Sequence, residues 1–167
     1  LYGSGDGSYE KQVSFDIGPN PHHSCLSIDD FDGDGQQDIA VPNFFDEKVD
    51  LLLGNENRTF TAQASIGSRL HSQFSIIAAG DLDSDGRSEI VVAYEGSNIL
   101  DVLVTHDTGS FPNETTYPTG SLPYSVAVGD FDNDTRLDLV VANSWDATVS
   151  ILLGYGDGSF ADQIEYP

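Results

Sequence analysis

Basic residues are scarce in this chain: six Lys and Arg stand against 28 Asp and Glu in 167 residues, a formal charge of −22. So few cations cannot displace the counterions of a phosphate backbone, and anionic lipid repels such a chain, which excludes nucleic acid and direct membrane binding. Cysteine is nearly absent as well. Cys25 stands alone, so no internal disulfide forms and cysteine usage leaves the compartment open. No apolar run approaches the length of a membrane span, and Leu1 opens a Gly/Ser/Asp-rich stretch with neither a basic start nor an apolar signal core. The sequence reads as a soluble mature segment or an excised piece. Helical spacing of apolar residues is missing throughout. Catalytic signatures are missing too: there is no GxSxG, HExxH or P-loop, and His22, His23, His71 and His106 do not assemble into a catalytic set by spacing. Cys25 aligns with Ile76 and Ser125 at a strand start and reads as a small buried side chain. An enzyme is not expected.

What the chain does contain is a repeat. The segments DFDGDGQQDIAV from Asp30, DLDSDGRSEIVV from Asp81 and DFDNDTRLDLVV from Asp130 align with spacings of 51 and 49. A second landmark keeps step with them: Gly7-Ser8-Tyr9, Arg58-Thr59-Phe60, Gly109-Ser110-Phe111 and Gly158-Ser159-Phe160. Residues 1–16 thus correspond to residues 152–167, and the chain divides into a tail of a preceding repeat (1–16) and three whole repeats (17–67, 68–118 and 119–167). Within each repeat, runs such as Ser125–Val128, Leu139–Ala142, Val149–Leu153 and Phe160–Tyr166 are short, rich in β-branched and aromatic residues, and bounded by Gly, Asp and Asn. They predict an all-β fold of antiparallel four-stranded units at a period of about 50 residues, the pattern of β-propeller blades.

Each repeat carries carboxylates at positions 1, 3, 5 and 9 of a loop: Asp30, Asp32, Asp34 and Asp38; Asp81, Asp83, Asp85 and Glu89; Asp130, Asp132, Asp134 and Asp138. Crowded carboxylates repel one another unless a cation lies among them. An all-oxygen set completed by a backbone carbonyl at position 7, from Gln36, Arg87 or Arg136, suits calcium. Gly35 and Gly86 at position 6 allow the sharp turn. An EF-hand begins the same way but needs a bidentate Glu at position 12, where this chain has Val41, Val92 and Val141. Recurrence of the loop in register with the strand pattern argues against a merely solvated acidic turn.

The run Asp130-Phe131-Asp132-Asn133-Asp134 with Asp138, and the Gly-Asp-Gly-Ser-Phe block at Gly156–Phe160, resemble the FG-GAP (VCBS-like) repeats of integrin α-subunit propellers and many extracellular proteins. The resemblance extends over essentially the whole chain. It implies a β-propeller whose calcium loops join the first and second strands of each blade on one face. Recognition would then use the opposite face, built from loops between the second and third strands and between blades. Three positions depart from the family pattern: Thr135 replaces the position-6 Gly, Glu89 replaces an Asp, and Asn57-Arg58 replaces the Asp-Gly of the second turn.

On that opposite face Phe44, Phe45, Tyr94, Tyr124 and Trp145 are the candidate partner-binding residues, with His22, His23 and Phe74 in the segments between blades. The expected function is a calcium-binding extracellular interaction module with a protein or carbohydrate ligand. A lectin-like propeller, a calcium-dependent propeller enzyme and a structural spacer are the alternatives. Three blades leave flat faces at both ends, which predicts self-association that completes a ring, or further blades supplied from elsewhere. Sequons begin at Asn57, Asn113 and Asn133, the last inside a calcium loop where a glycan would obstruct folding around the ion.

Overall fold

A computed structural model of the chain describes residues 5–9, 14–15, 25–43, 47–63, 65–66, 75–94, 96–106 and 110–167. Among the described residues twelve strands form three sheets. Blade 1 holds β1 (Ser27–Asp29), β2 (Asp38–Asn43), β3 (Lys48–Gly54) and β4 (Phe60–Ala62). Blade 2 holds β5 (Ser75–Gly80), β6 (Glu89–Tyr94), β7 (Ile99–His106) and β8 (Ser110–Pro118). Blade 3 holds β9 (Pro123–Gly129), β10 (Asp138–Asn143), β11 (Thr148–Leu152) and β12 (Ile164–Tyr166). Every sheet runs in chain order with antiparallel neighbours. No helix occurs among the described residues. The fold is all-β, built of propeller blades.

The alternation of side chains along a strand explains how the blades stack. On β6, Ile90, Val92 and Tyr94 point to one side and join Phe31, Ala40, Val49 and Leu51 of blade 1. Val91 and Ala93 point to the other and join Val126, Leu139, Val141 and Leu152 of blade 3. The central blade therefore buries both faces, and its middle strand, EIVVAY, is buried along its whole length. Its uninterrupted apolar run is the signature of a strand covered on both sides. Each Ile, Val or Leu so buried contributes roughly 1.5–3 kcal/mol, so the sandwiched middle blade holds the array together.

Two further contacts repeat from blade to blade. Loop position 2 plugs the gap beneath the following blade, with Phe31 in the first cluster and Leu82 in the second. At the outer edge, Tyr117 of β8 meets Phe160 of the next blade edge-on, with ring centroids 5.7 Å apart. Phe15 meets Phe60 in the same manner at 5.2 Å. Phe15 stands to blade 1 as Tyr117 stands to blade 3. Cys25 is half-buried and packs against the cluster between blades 1 and 2. His22, His23, His71 and Phe74 lie outside the described residues.

Candidate metal centres

The three acidic loops join the first and second strands of their blades, so all three lie at the same end of the stack. Backbone N–H groups fold each loop around its own carboxylates. The position-1 aspartate accepts two of them: Asp30 from Gly33 and Gly35, Asp81 from Asp85 and Gly86, Asp130 from Asp134 and Thr135, all at 2.7–3.1 Å. Position 3 accepts the N–H of position 5, with Asp32, Asp83 and Asp132 each at 3.1 Å. Position 5 accepts the N–H of position 7. Such a turn needs left-handed backbone at position 6, where φ is +83° at Gly35 and +89° at Gly86. Thr135 adopts the same conformation with φ +74°. The third loop keeps the shape of the others at a cost of about 1–2 kcal/mol for a side chain in that region.

Carboxylate oxygens converge within 4.8 Å of one another in each loop. The groups are Asp30, Asp32 and Asp38; Asp81, Asp83 and Asp85; and Asp130, Asp132 and Asp138. Three of the four carboxylates are thus gathered each time, with Asp34, Glu89 and Asp134 outside the convergent set. Arg87 pairs with Asp85, and Arg136 with Asp134, through their guanidinium groups. The convergent donors are all oxygen and all acidic, which fits a hard divalent cation such as calcium. Gln36, Arg87 and Arg136 stand at position 7, where a carbonyl would complete the set.

Position 9 has a second role that the spacing did not disclose. Asp38, Glu89 and Asp138 are completely buried. Asp38 accepts the Phe31 N–H at 2.8 Å and the Gly54 N–H at 2.7 Å, and Asp138 accepts those of Phe131 and Gly154, both at 2.8 Å. Each carboxylate ties its loop to the end of the third strand. Both glycines are forced by close approach. A Cβ on Gly54 would stand 2.4 Å from the Gln37 carbonyl oxygen, and one on Gly154 would stand 2.1 Å from that of Leu137. Blade 2 solves the same problem with larger parts. Thr105 replaces the glycine, Glu89 replaces the aspartate, and Glu89 accepts from the Leu82 N–H at 2.7 Å and the Thr105 hydroxyl at 2.9 Å. The longer acid also accepts the Thr105 backbone N–H, at 3.3 Å.

Burial dominates the electrostatics of the cluster. It raises Glu89 to about 7 against the opposing pull of its hydrogen bonds from Thr105 and Leu82. It likewise raises Asp38, Asp32, Asp83 and Asp132, with neighbouring carboxylates adding to the effect. The Arg136 backbone N–H, then its guanidinium, hold Asp134 below the usual carboxylate range. An acid whose folded value is raised contributes stability at low pH and loses it as pH climbs through that value. Metal-stripped protein should therefore be more stable in urea at about pH 5 than at about pH 8, with Glu89→Gln removing the part of the decline near pH 7. Saturating calcium, which competes with protons, should reverse the trend. A rise in stability with pH in stripped protein would contradict this account.

The opposite end of the stack carries the other candidates. Trp145 is 79% exposed and Tyr124 is 69% exposed, at the β10–β11 loop and the start of β9. The Trp145 N–H reaches the Ser121 carbonyl at 3.3 Å, and Asp146 accepts the Ser121 N–H at 2.6 Å, so the loop is tied to the segment entering blade 3. Asn98 accepts the Leu122 N–H at 3.0 Å and links the same segment to blade 2. Tyr94 does not belong with these aromatics. It is 2% exposed in the core between blades 1 and 2, its hydroxyl bonded to Asp101, and burial keeps the phenol protonated. It is corrected from partner anchor to core residue, because it continues the inward series of Ile90 and Val92. Phe44 and Phe45 lie outside the described residues.

Near Tyr94 the third strand of each blade bears a polar node that sequence reasoning also missed. Asp50 accepts from Asn43 at 2.8 Å and Ser65 at 2.6 Å. Asp101 accepts from Thr116 at 2.6 Å, and Ser150 accepts from Asn143 at 2.8 Å while donating to Gln163 at 2.6 Å. The node ties the third strand to the fourth strand in blade 2 and to residues flanking it in blades 1 and 3, at the end away from the acidic loops. Its recurrence at residues 50, 101 and 150 follows the repeat period and was the available signal.

A sequence profile described as FG-GAP-like repeat matches residues 30–92 and 81–141. No curated protein matches the chain. Among solved structures, a chain of the Photorhabdus luminescens Tc holotoxin pore (mutation TccC3-D651A) superposes with a TM-score of 0.51 at 18% identity. The superposition covers 87% of this chain and 7% of the toxin chain. That likeness concerns the fold alone. The profile spans the three acidic loops and the strands they connect, and the chain belongs to the FG-GAP-like repeat family.

Proposed function

We propose that the chain is a calcium-stabilised propeller module of an extracellular protein, with structural calcium in the three loops and a partner surface at the opposite end. The observation that carries this reading is the threefold convergence of carboxylates at one end of the stack. An extracellular setting suits loops of this kind, since calcium there is abundant enough to fill sites of modest affinity. Exposed sequon residues Asn57 and Asn113 are compatible with it. The exposed rings of Trp145 and Tyr124 support recognition at the other end, because a rigid aromatic offers large contact area at little entropic cost.

The same rings favour one competing reading, a lectin, since sugars stack on exposed aromatic faces. Glycan and extracellular-protein arrays probed with the 167-residue chain separate the two. For whichever ligand is captured, Trp145→Ala should weaken binding by about 1–3 kcal/mol while calcium affinity and melting temperature stay unchanged. A drop of many degrees in melting temperature with unaltered affinity would place the ring in packing and remove it from recognition.

A further inference from the structure

The acidic loops of blades 1 and 2 touch each other. The Ser88 N–H, at position 8 of loop 2, donates at 2.8 Å to the carbonyl of Asp30, at position 1 of loop 1. One residue earlier, the Arg87 stem lies over position 4 of loop 1: a Cβ on Gly33 would stand 3.0 Å from Arg87 Cγ and 3.4 Å from its Cδ. Arg87 is also bound into its own loop, where its backbone N–H and its guanidinium both meet Asp85. Loops 2 and 3 are not joined in this way. Loop 2 has Ser84 where loop 1 has Gly33, both with left-handed backbone, φ +64° and +79°. Arg136 lies against its own blade, where a Cβ on Gly156 would stand 3.0 Å from its Cδ. Leu137 replaces Ser88, and among the described residues no backbone hydrogen bond runs from loop 3 to loop 2. Blade 3 reaches loop 2 from a turn outside its own acidic loop, through the Gly158 N–H, which donates to the Leu82 carbonyl at 3.2 Å.

We infer that loops 1 and 2 take up calcium as a cooperative pair, with the seat of Arg87 on Gly33 and the Ser88–Asp30 bond as the joint between them, while loop 3 fills independently. The inference rests on the calcium reading proposed above and concerns how the sites of that reading act on one another. Ordering loop 2 around a cation fixes Arg87 and Ser88, and these hold Gly33 and Asp30 in place, so part of the ordering that loop 1 needs is already done. The same contacts act in the other direction, since coupling between binding sites is reciprocal.

Calcium titrations of metal-free protein, followed by NMR at the amides of Gly35, Gly86 and Thr135, read the three loops separately, because each of these N–H groups donates to the position-1 aspartate of its own loop. Asp83→Ala should weaken the filling of loop 1 about 10-fold, Asp32→Ala should weaken loop 2 by the same factor, and loop 3 should change by less than about 2-fold in either variant. Gly33→Ser gives loop 1 the residue that loop 2 carries at the same position and puts a Cβ against the Arg87 stem. In that background the cross-effect should fall to about 2–3-fold, the remainder being the Ser88–Asp30 bond. Arg87→Ala tests the same seat if Gly33→Ser does not fold. Absence of any calcium-dependent shift in the wild type removes the calcium reading and the coupling with it. Four results overturn the coupling alone: independent filling of loops 1 and 2, weakening of one by the other as bare repulsion between dications would give, equal coupling to loop 3, or a cross-effect unchanged by both Gly33→Ser and Arg87→Ala.

Discussion

Removal of divalent cations should lower the melting temperature by upwards of about 15 °C. Ligands that converge only in the folded loops would make calcium a selective binder of the native state, and a site held at about 100 times its dissociation constant would add roughly 2.7 kcal/mol. Three filled sites would add about 8 kcal/mol, and in a chain of this size each kcal/mol moves the midpoint by roughly 2–4 °C. Three dications would also take about six units off the formal charge of −22, relieving self-repulsion in the compact state. Calorimetry on protein verified to be metal-free, with and without added calcium, measures the effect. Coincident melting curves would remove calcium from the account of these loops. Asp30→Ala should forfeit more of the calcium increment than Asp130→Ala, because strain at Thr135 already weakens the third loop. Thr135→Gly should narrow that difference.

Asp138→Ala should cost about 1–4 kcal/mol even without calcium, because it leaves the buried Gly154 N–H and the part-buried Phe131 N–H unpartnered. Asp132→Ala separates the two roles of the cluster. Asp132 hangs from the loop alone, and neighbouring charges oppose its ionisation. Its loss should be neutral or stabilising in metal-free protein and harmful only to calcium binding. Urea midpoints of both variants in stripped and loaded protein check this. Equal costs in stripped protein would mean that Asp138 is a ligand and no anchor. Gly154→Thr should be as damaging as Asp138→Ala, since its Cβ meets backbone at 2.1 Å. Adding Asp138→Glu should recover about 1–2 kcal/mol by recreating the Glu89–Thr105 arrangement, a coupling of the size seen between touching residues.

The strands and the acidic loops were legible because they rest on short-range rules. Alternating β-branched runs mark strands, and carboxylates at every second position mark a cation loop wherever they fall. What escaped depended on a neighbour elsewhere in the chain. Tyr94 looks like a loop aromatic beside Glu95 and Gly96, and only its shared side with Ile90 and Val92 places it in the core. The anchoring role of Asp38 and Asp138 was hidden because a buried acceptor and a metal ligand occupy the same spacing. What distinguishes them is a glycine 16 residues later, met only when the third strand returns.

The pairing of loop position 9 with the end of the third strand constrains how such a chain can change over time. Arrays of near-identical segments are prone to exchange between copies. An exchange whose crossover falls inside the interval between these two positions would join Asp38 to a threonine or Glu89 to a glycine. The first combination collides with backbone and the second leaves an acceptor overreaching its strand end. Crossovers outside that interval move both members together and leave the joint intact. The hairpin from position 9 to the third-strand end is therefore the unit in which this array can be shuffled, a shorter and differently phased unit than the 51- and 49-residue spacings of the repeat itself.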